Sequence, residues 1–333
     1  MKPLLHSFLI NGPFDDPGLC IGIQWERRGI LFDLGDISNL EPARLLKVSD
    51  VFVSHTHMDH FVGFDHLLRI VLNREKGLRI YGPPGIISNM EGKLGGYTWN
   101  LTQGYPLCLQ VTEVHTDSLI KAEFFAKDGF RRRDAGSLPF SGTLLEEDMF
   151  TISCRHLDHK IPSLGFALKE RFHINIHKDK LLTLNLPVGP WLRDFKEALW
   201  EGRSEDTPFS VEWEEGGQRQ SRDFLLGELK DLIAIVTEGQ KISYIVDAVY
   251  HQENEEKILS LTRDSDILYC EAAYLDQDRA IALERGHLTA RQAGQLARKA
   301  GAKELIILHF SPRYKDDPQA LYQEALLAFR GPL

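Results

Sequence analysis

The chain has 333 residues, 43% of them hydrophobic and 26% charged, with a formal net charge of −9. That composition excludes a mainly disordered polymer, and the length suits one large layered domain or two modest ones. No apolar run approaches the roughly 20 residues of a membrane-spanning helix, and the acidic balance confines any nucleic-acid contact to a local basic patch. In chain order, residues 20–25 alternate loosely and 29–35 read as a buried strand closed by Gly35, giving a hairpin through the charged turn at 26–28. Residues 50–54 form a second buried strand that runs directly into His55. Residues 65–72 are predicted helical, with Leu67, Leu68, Val71 and Leu72 on one face. A strand then leads into the turn Gly82-Pro83-Pro84-Gly85, and the stretch 100–155 is strand-rich around Arg131-Arg132-Arg133.

Residues 171–240 break this pattern. The first thirty hold five Lys or Arg against three acids and the turn Pro187-Val188-Gly189-Pro190, whereas 201–240 hold ten acids against four bases around Gly216-Gly217. This stretch reads as an insertion with its own substructure within a chain that otherwise forms a single domain over 1–333. Strand and helix signals then resume. Residues 241–247 and 266–271 are strands ending in Asp247 and Glu271. Residues 289–300 are the clearest helix, with a Thr289–Gln292 capping box and Gly301 as its stop. The strand 305–308 delivers His309. Alternating strands and helices in both halves imply a layered α/β architecture.

The decisive feature is His55-Thr56-His57-Met58-Asp59-His60, four potential ligands in six residues just after a buried strand. Imidazole and carboxylate at that density suit zinc or a similar divalent ion. Further candidates sit at strand ends: His159, with His156 as a neighbouring competitor, Asp247 and His309. A shared carboxylate among imidazoles would hold two ions about 3.5–4 Å apart, the spacing used to hydrolyse phosphate esters.

These residues resemble the metallo-β-lactamase superfamily and, within it, the ribonuclease Z family, which trims the 3′ trailer of precursor tRNA. The resemblance runs from about Leu31 to Tyr314. It rests on the HxHxDH box, Ile80-Tyr81-Gly82-Pro83-Pro84-Gly85, 159–166, His287-Leu288-Thr289-Ala290, and Leu308-His309-Phe310-Ser311-Pro312-Arg313-Tyr314. It implies a four-layer αβ/βα sandwich with an inserted arm over 171–240. It also implies one ion on His55, His57 and His159, a second on Asp59, His60 and His309, and Asp247 between them. Zinc is the foremost choice, and manganese suits the same ligands. A hydroxide bridging the ions would attack the phosphodiester, with Asp59 as general base and His287, oriented by Glu271, as proton donor. His156 is left a structural role. Gly189 and Pro190 match the family's arm turn, with Lys178, Lys180, Arg193 and Lys196 around it, and Arg313 joins them as an expected substrate contact.

The resemblance further implies a homodimer in which one subunit's arm serves the other's site. Two departures stand against tRNA. The opening loop Asn11-Gly12-Pro13-Phe14-Asp15-Asp16-Pro17-Gly18 is acidic where the family is basic, and the acidic-glycine run after the second strand shrinks to Asp33-Leu34-Gly35-Asp36. The alternatives are a related phosphodiesterase for a small or cyclic phosphodiester, and a non-catalytic metal-bearing scaffold for RNA or protein. Met1–Phe8 lacks a long apolar stretch with a cleavage site, and Cys20, Cys108, Cys154 and Cys270 form no CxxC pair, so a cytoplasmic protein without a membrane partner is expected.

Overall fold

The computed structural model describes residues 4–24, 26 and 28–331. Trp25 and Arg27, expected in the first strand and its turn, lie outside the described residues. The chain divides into two compact units. One holds Glu146–Thr151 and Lys169–Gln240, and the other holds Leu5–Leu145, Ile152–Leu168 and the chain from Lys241 onward.

The larger unit is built on two sheets. The first has eight strands that neighbour one another in chain order: Leu5–Leu9, Leu19–Ile23, Arg28–Phe32, Val48–Phe52, Gly77–Gly82, Cys108–Val114, Ser118–Phe125 and Arg132–Pro139. Its edges are antiparallel hairpins, and its middle four strands run parallel because helical crossovers separate them. One of those crossovers is the helix Phe64–Val71, which buries Phe64 and the expected Leu67, Leu68 and Val71, whereas the expected Leu72 follows the last turn and is half-buried. The second sheet has the order Glu304–Leu308, Ile267–Glu271, Lys241–Ile245, Pro162–Glu170, Phe150–Asp158, Thr143–Glu146. Its first three strands are parallel.

The inner faces of the sheets meet through aromatic rings. Phe32 of the first sheet stacks on Phe166 and Tyr244 of the second at 5.3 and 5.8 Å, and Phe52 meets Phe166 edge-on at 5.8 Å. The outer faces are covered by helices. Ile86, Ile87, Met90 and Leu94 join the core of the first sheet, and Ala293, Leu296, Ala297 and Leu321 join that of the second. Helix, sheet, sheet, helix is the four-layer αβ/βα order expected from the sequence. The helix Ala290–Lys299 carries the expected capping box, with Thr289 and Gln292 each satisfying the other's backbone N–H.

The smaller unit has its own core of Leu181, Trp191, Phe195, Val211, Phe224 and Leu229. Strands Phe172–Ile176 and Ala234–Glu238 pair antiparallel, and Pro208–Glu215 pairs with Gln218–Leu225 across a two-residue turn. Gly216 and Gly217 both have positive φ there, 58° and 79°, which such a tight hairpin demands of its two central residues. Helices Lys178–Thr183, Trp191–Trp200 and Leu226–Ile233 complete it.

Candidate metal centre

Each candidate ligand in the larger unit stands where a strand stops. Val48–Phe52 runs through Val53 and Ser54 into His55, and the one-turn helix Met58–Phe61 then carries Asp59 and His60. His159 lies in the turn between Phe150–Asp158 and Pro162–Glu170. Glu271 ends its strand, and Asp247 and His309 follow theirs within two residues. Asp33, Asp247 and His309 have φ of 59°, 50° and 61°, a left-handed backbone that costs a residue with a Cβ about 1–2 kcal/mol. Strain of this kind persists where surrounding contacts over-determine it, and it gathers at functional sites.

The side chains converge on Asp247. Its Oδ2 lies 3.4 Å from His55 Nε2, 3.4 Å from His60 Nε2 and 3.3 Å from His159 Nε2, and its Oδ1 lies 2.9 Å from His309 Nδ1. Asp59 Oδ2 is 3.5 Å from His60 Nε2 and 3.4 Å from His309 Nε2, while His55 Nε2 and His57 Nδ1 are 2.9 Å apart. Three overlapping sets of donor atoms follow, His55, His57, His159 and Asp247 in one, Asp59, His60 and His309 in a second, and Asp247, Glu271, His287 and His309 in a third, each set within 4.8 Å. All seven expected ligands are therefore brought together. His156 is not among them: its Nε2 donates to the Val114 carbonyl at 2.9 Å, the structural place expected for it.

The donor chemistry fits divalent cations. The far nitrogens of several rings are already engaged: His159 Nδ1 donates to the Gly286 carbonyl at 2.7 Å, and His60 Nδ1 donates to Asp33 at 2.9 Å. Their Nε2 atoms are thereby aimed inward. His60 Nε2, Asp247 Oδ1 and His309 Nδ1 are buried and meet other donors of the cluster as close ion-pair contacts without hydrogen-bond geometry, an arrangement that a cation among them would satisfy. Burial pushes the His55 pKa down to about 2, leaving a neutral ring suited to a metal. Burial also opposes charge on His60, but Asp247 and Asp33 outweigh it and push this imidazole up to about 10.

Beside this cluster, the fully buried Glu271 accepts the Ala248 N–H through Oε1 at 2.7 Å and His287 Nδ1 through Oε2 at 2.9 Å. Burial disfavours the charged His287 ring, yet Glu271 lifts its pKa above the ordinary histidine value. Arg313 is paired with Asp278 at 3.1 Å. In the smaller unit, Lys178 and Lys180 are exposed on their helix, and Gly189 and Pro190 lead into Trp191–Trp200. Arg193 pairs with Glu197 at 3.2 Å, and Lys196 spends its ammonium on the Ile174 carbonyl at 2.6 Å. Sequence reasoning missed Asp33, Ser54 and Tyr244, which contact the cluster from behind. Asp33 carried the same signal as Asp247, an acid closing a buried strand.

No family model matches the chain. Ribonuclease Z of Deinococcus radiodurans is 30% identical to it over 265 residues, 79% of this chain and 76% of that protein. Ribonuclease Z of Brevibacillus brevis is 29% identical over 92% of this chain and 84% of that protein. Among solved structures, the metallo-beta-lactamase fold protein YhfI from Bacillus subtilis covers 97% of this chain and 92% of its own, with a TM-score of 0.55 at 17% identity, a likeness of fold.

Proposed function

The chain belongs to the ribonuclease Z family and has the metallo-β-lactamase fold, and on that premise we propose that it is a metal-dependent endoribonuclease that removes the 3′ trailer of precursor tRNA. The observation carrying this reading is the convergence of seven candidate ligands beside a buried Glu271–His287 pair. We assign His55, His57 and His159 to one ion and Asp59, His60 and His309 to the other, with Asp247 shared. Zinc or manganese suits this ligand set. When bound, two such ions acidify water and neutralise charge on the phosphoryl oxygens.

The chain's own residues do the rest. Asp59, whose side chain is 42% exposed, takes the proton of the attacking water. His287 gives a proton to the 3′ oxygen as the P–O bond breaks, leaving a hydroxyl on the tRNA and a phosphate on the trailer. Glu271, anchored on the Ala248 N–H, keeps that imidazole charged and oriented. The arm turn at Gly189 and Pro190, together with Lys178, Lys180, Arg193 and Arg313, supplies the tRNA contacts, Lys196 instead tying its helix to the Ile174 carbonyl, and the working form is a homodimer. Free thiols at all four cysteines suit a reducing, cytoplasmic setting. No helix among the described residues is long and apolar enough to cross a membrane.

One observation favours a second substrate, a small or cyclic phosphodiester. Gly35 packs so closely that a Cβ there would lie 2.6 Å from Asp16 Cβ and 2.7 Å from the Asp59 carbonyl, which sets the acidic opening loop beside the centre. Metal-loaded protein incubated with a 3′-extended precursor tRNA decides between them, with His57→Ala as the blank. One cut at the trailer junction, absent in the variant, supports tRNA processing. Intact precursor alongside hydrolysis of bis(p-nitrophenyl) phosphate selects the small phosphodiester.

A further inference from the structure

A cleft of about 440 Å³ opens on the larger unit one residue past His159, a size ordinary for small-ligand sites. Three elements meet there. The turn between Cys108–Val114 and Ser118–Phe125 brings His115, the strand Phe150–Asp158 brings His156, and the helix Gln252–Thr262 brings Lys257. Pro84, Ile161 and Pro162 form an apolar wall. His115 Nε2 donates to Glu113 Oε1 at 2.9 Å and His156 Nε2 to the Val114 carbonyl at 2.9 Å, so Nδ1 is the nitrogen each ring keeps for a ligand. Burial lowers the His156 pKa, the Val114 carbonyl raises it, and the charges of Lys257 and His115 lower it again. The charges that reach this ring are thus positive. Lys160, whose ammonium donates to the Glu284 carbonyl at 2.6 Å, adds another.

We propose that this cleft binds one nucleotide of the RNA substrate, its phosphate on Lys257 and the two imidazoles and its base against Pro84, Ile161 and Pro162. The inference rests on the endoribonuclease reading, and His159 gives the nucleotide its place: a cleft that begins beside a metal ligand takes a unit flanking the scissile phosphate. The acids nearby leave room for an anion. Asp158 lines the cleft, but its Oδ1 accepts the Lys160 N–H at 2.7 Å and its Oδ2 lies 3.3 Å from His251 Nε2. Lys257 meets Glu253 at 2.7 Å, one turn back along its helix. Those side chains are 36% and 71% exposed, and so solvated a pair holds the ammonium only weakly. The frame itself is fixed in advance. The buried Asn254, on the helix of Lys257, accepts the Asp158 N–H and donates to the Asp158 carbonyl, both at 2.9 Å.

The same chemistry suits a free mononucleotide, so the test has two arms: 15N-histidine NMR of the zinc-loaded protein with adenosine 5′-monophosphate, and steady-state cleavage of 3′-extended precursor tRNA. The nucleotide should shift the His115 and His156 signals, which His115→Gln and His156→Gln assign. Lys257→Glu should weaken that binding roughly 10–100-fold, the worth of a hydrogen bond to a charged group. It should raise KM for precursor tRNA by a similar factor with kcat unchanged, and leave bis(p-nitrophenyl) phosphate hydrolysis at the wild-type rate. His115→Gln should act in the same direction. Nucleotide binding that Lys257→Glu abolishes, beside an unchanged KM for precursor tRNA, overturns the proposal in favour of a free mononucleotide. Unshifted His115 and His156 signals, or shifts that survive Lys257→Glu undiminished, overturn it outright and leave the metal centre untouched. A wild type that cuts neither substrate overturns the endoribonuclease reading, and the NMR arm then still decides whether the cleft takes a nucleotide.

Discussion

His287 lies 3.7 Å from Asp247 Oδ1 and beside His159 and His309, yet its role is separate from that of the candidate ligands, because its Nδ1 is taken by Glu271. His287→Ala should therefore keep its metal, checked by elemental analysis, while kcat falls roughly 10²–10⁴-fold, the usual worth of a positioned proton donor. Glu271→Gln sharpens the point through pH. A proton donor works only while protonated, so kcat falls as pH rises through its pKa. Glu271 raises that pKa, so removing its charge should move the alkaline limb of the kcat profile to lower pH. A limb that stays in place would show that His287 is not the group reported.

His60 supports a second prediction at the same scale. With a pKa of about 10, it holds a proton at neutral pH that an incoming ion must displace. Metal affinity should thus rise with pH below about 10, by up to about tenfold per unit for each proton released. Calorimetry in buffers of different ionisation heat counts those protons directly, and a binding heat independent of buffer would contradict the assignment.

At the scale of the element, strand ends and one tight turn make the centre. Gly63 follows the short helix bearing Asp59 and His60, and its N–H donates to the Leu34 carbonyl at 2.9 Å. A Cβ at this position would lie 2.1 Å from the Gly35 carbonyl oxygen, a backbone atom that cannot move aside cheaply. Gly63→Ala should cost about 1–3 kcal/mol, as overpacking does, and should weaken metal binding because the His-rich turn shifts with it. Thermal melts with and without zinc measure both effects.

Such elements explain what was legible beforehand. The HxHxDH turn is local, so its ligands could be read from spacing, and Asp247 and His309 could be read as polar residues closing apolar strands. The capped helix at Ala290–Lys299 was equally local. Asp33 carries the same strand-end signal, but the shortened run Asp33-Leu34-Gly35-Asp36 does not distinguish it from Asp36, and only the packed fold shows which acid is buried. The partners Tyr244 and Gly286 were not legible at all. Each meets its target more than a hundred residues away in sequence, across a contact that exists only after the sheets or loops have packed.

For the whole molecule, the two compact units separate the proposed chemistry from the proposed grip. All seven candidate ligands, Glu271 and His287 belong to the larger unit, whereas the arm turn and its basic residues belong to the smaller. The two ends of the arm stretch meet: the Glu170 N–H donates to the Gln240 carbonyl at 2.8 Å, and the Gln240 N–H returns to Glu170 Oε2 at 2.9 Å. Residues 171–239 can therefore be replaced by a short glycine linker without stretching the chain. The shortened protein should still hydrolyse bis(p-nitrophenyl) phosphate at the wild-type rate. Its KM for precursor tRNA should rise about tenfold or more, since each lost phosphate contact weakens binding. If the working form is a dimer in which each arm serves the opposite centre, mixing this protein with His57→Ala chains should restore tRNA cleavage. Neither parent has both parts, but the mixed dimer pairs an intact centre with an intact arm. Recovery that tracks the mixed-dimer fraction in sedimentation would show the arm acting in trans. No recovery, with mixed dimers present, would place arm and centre on the same chain.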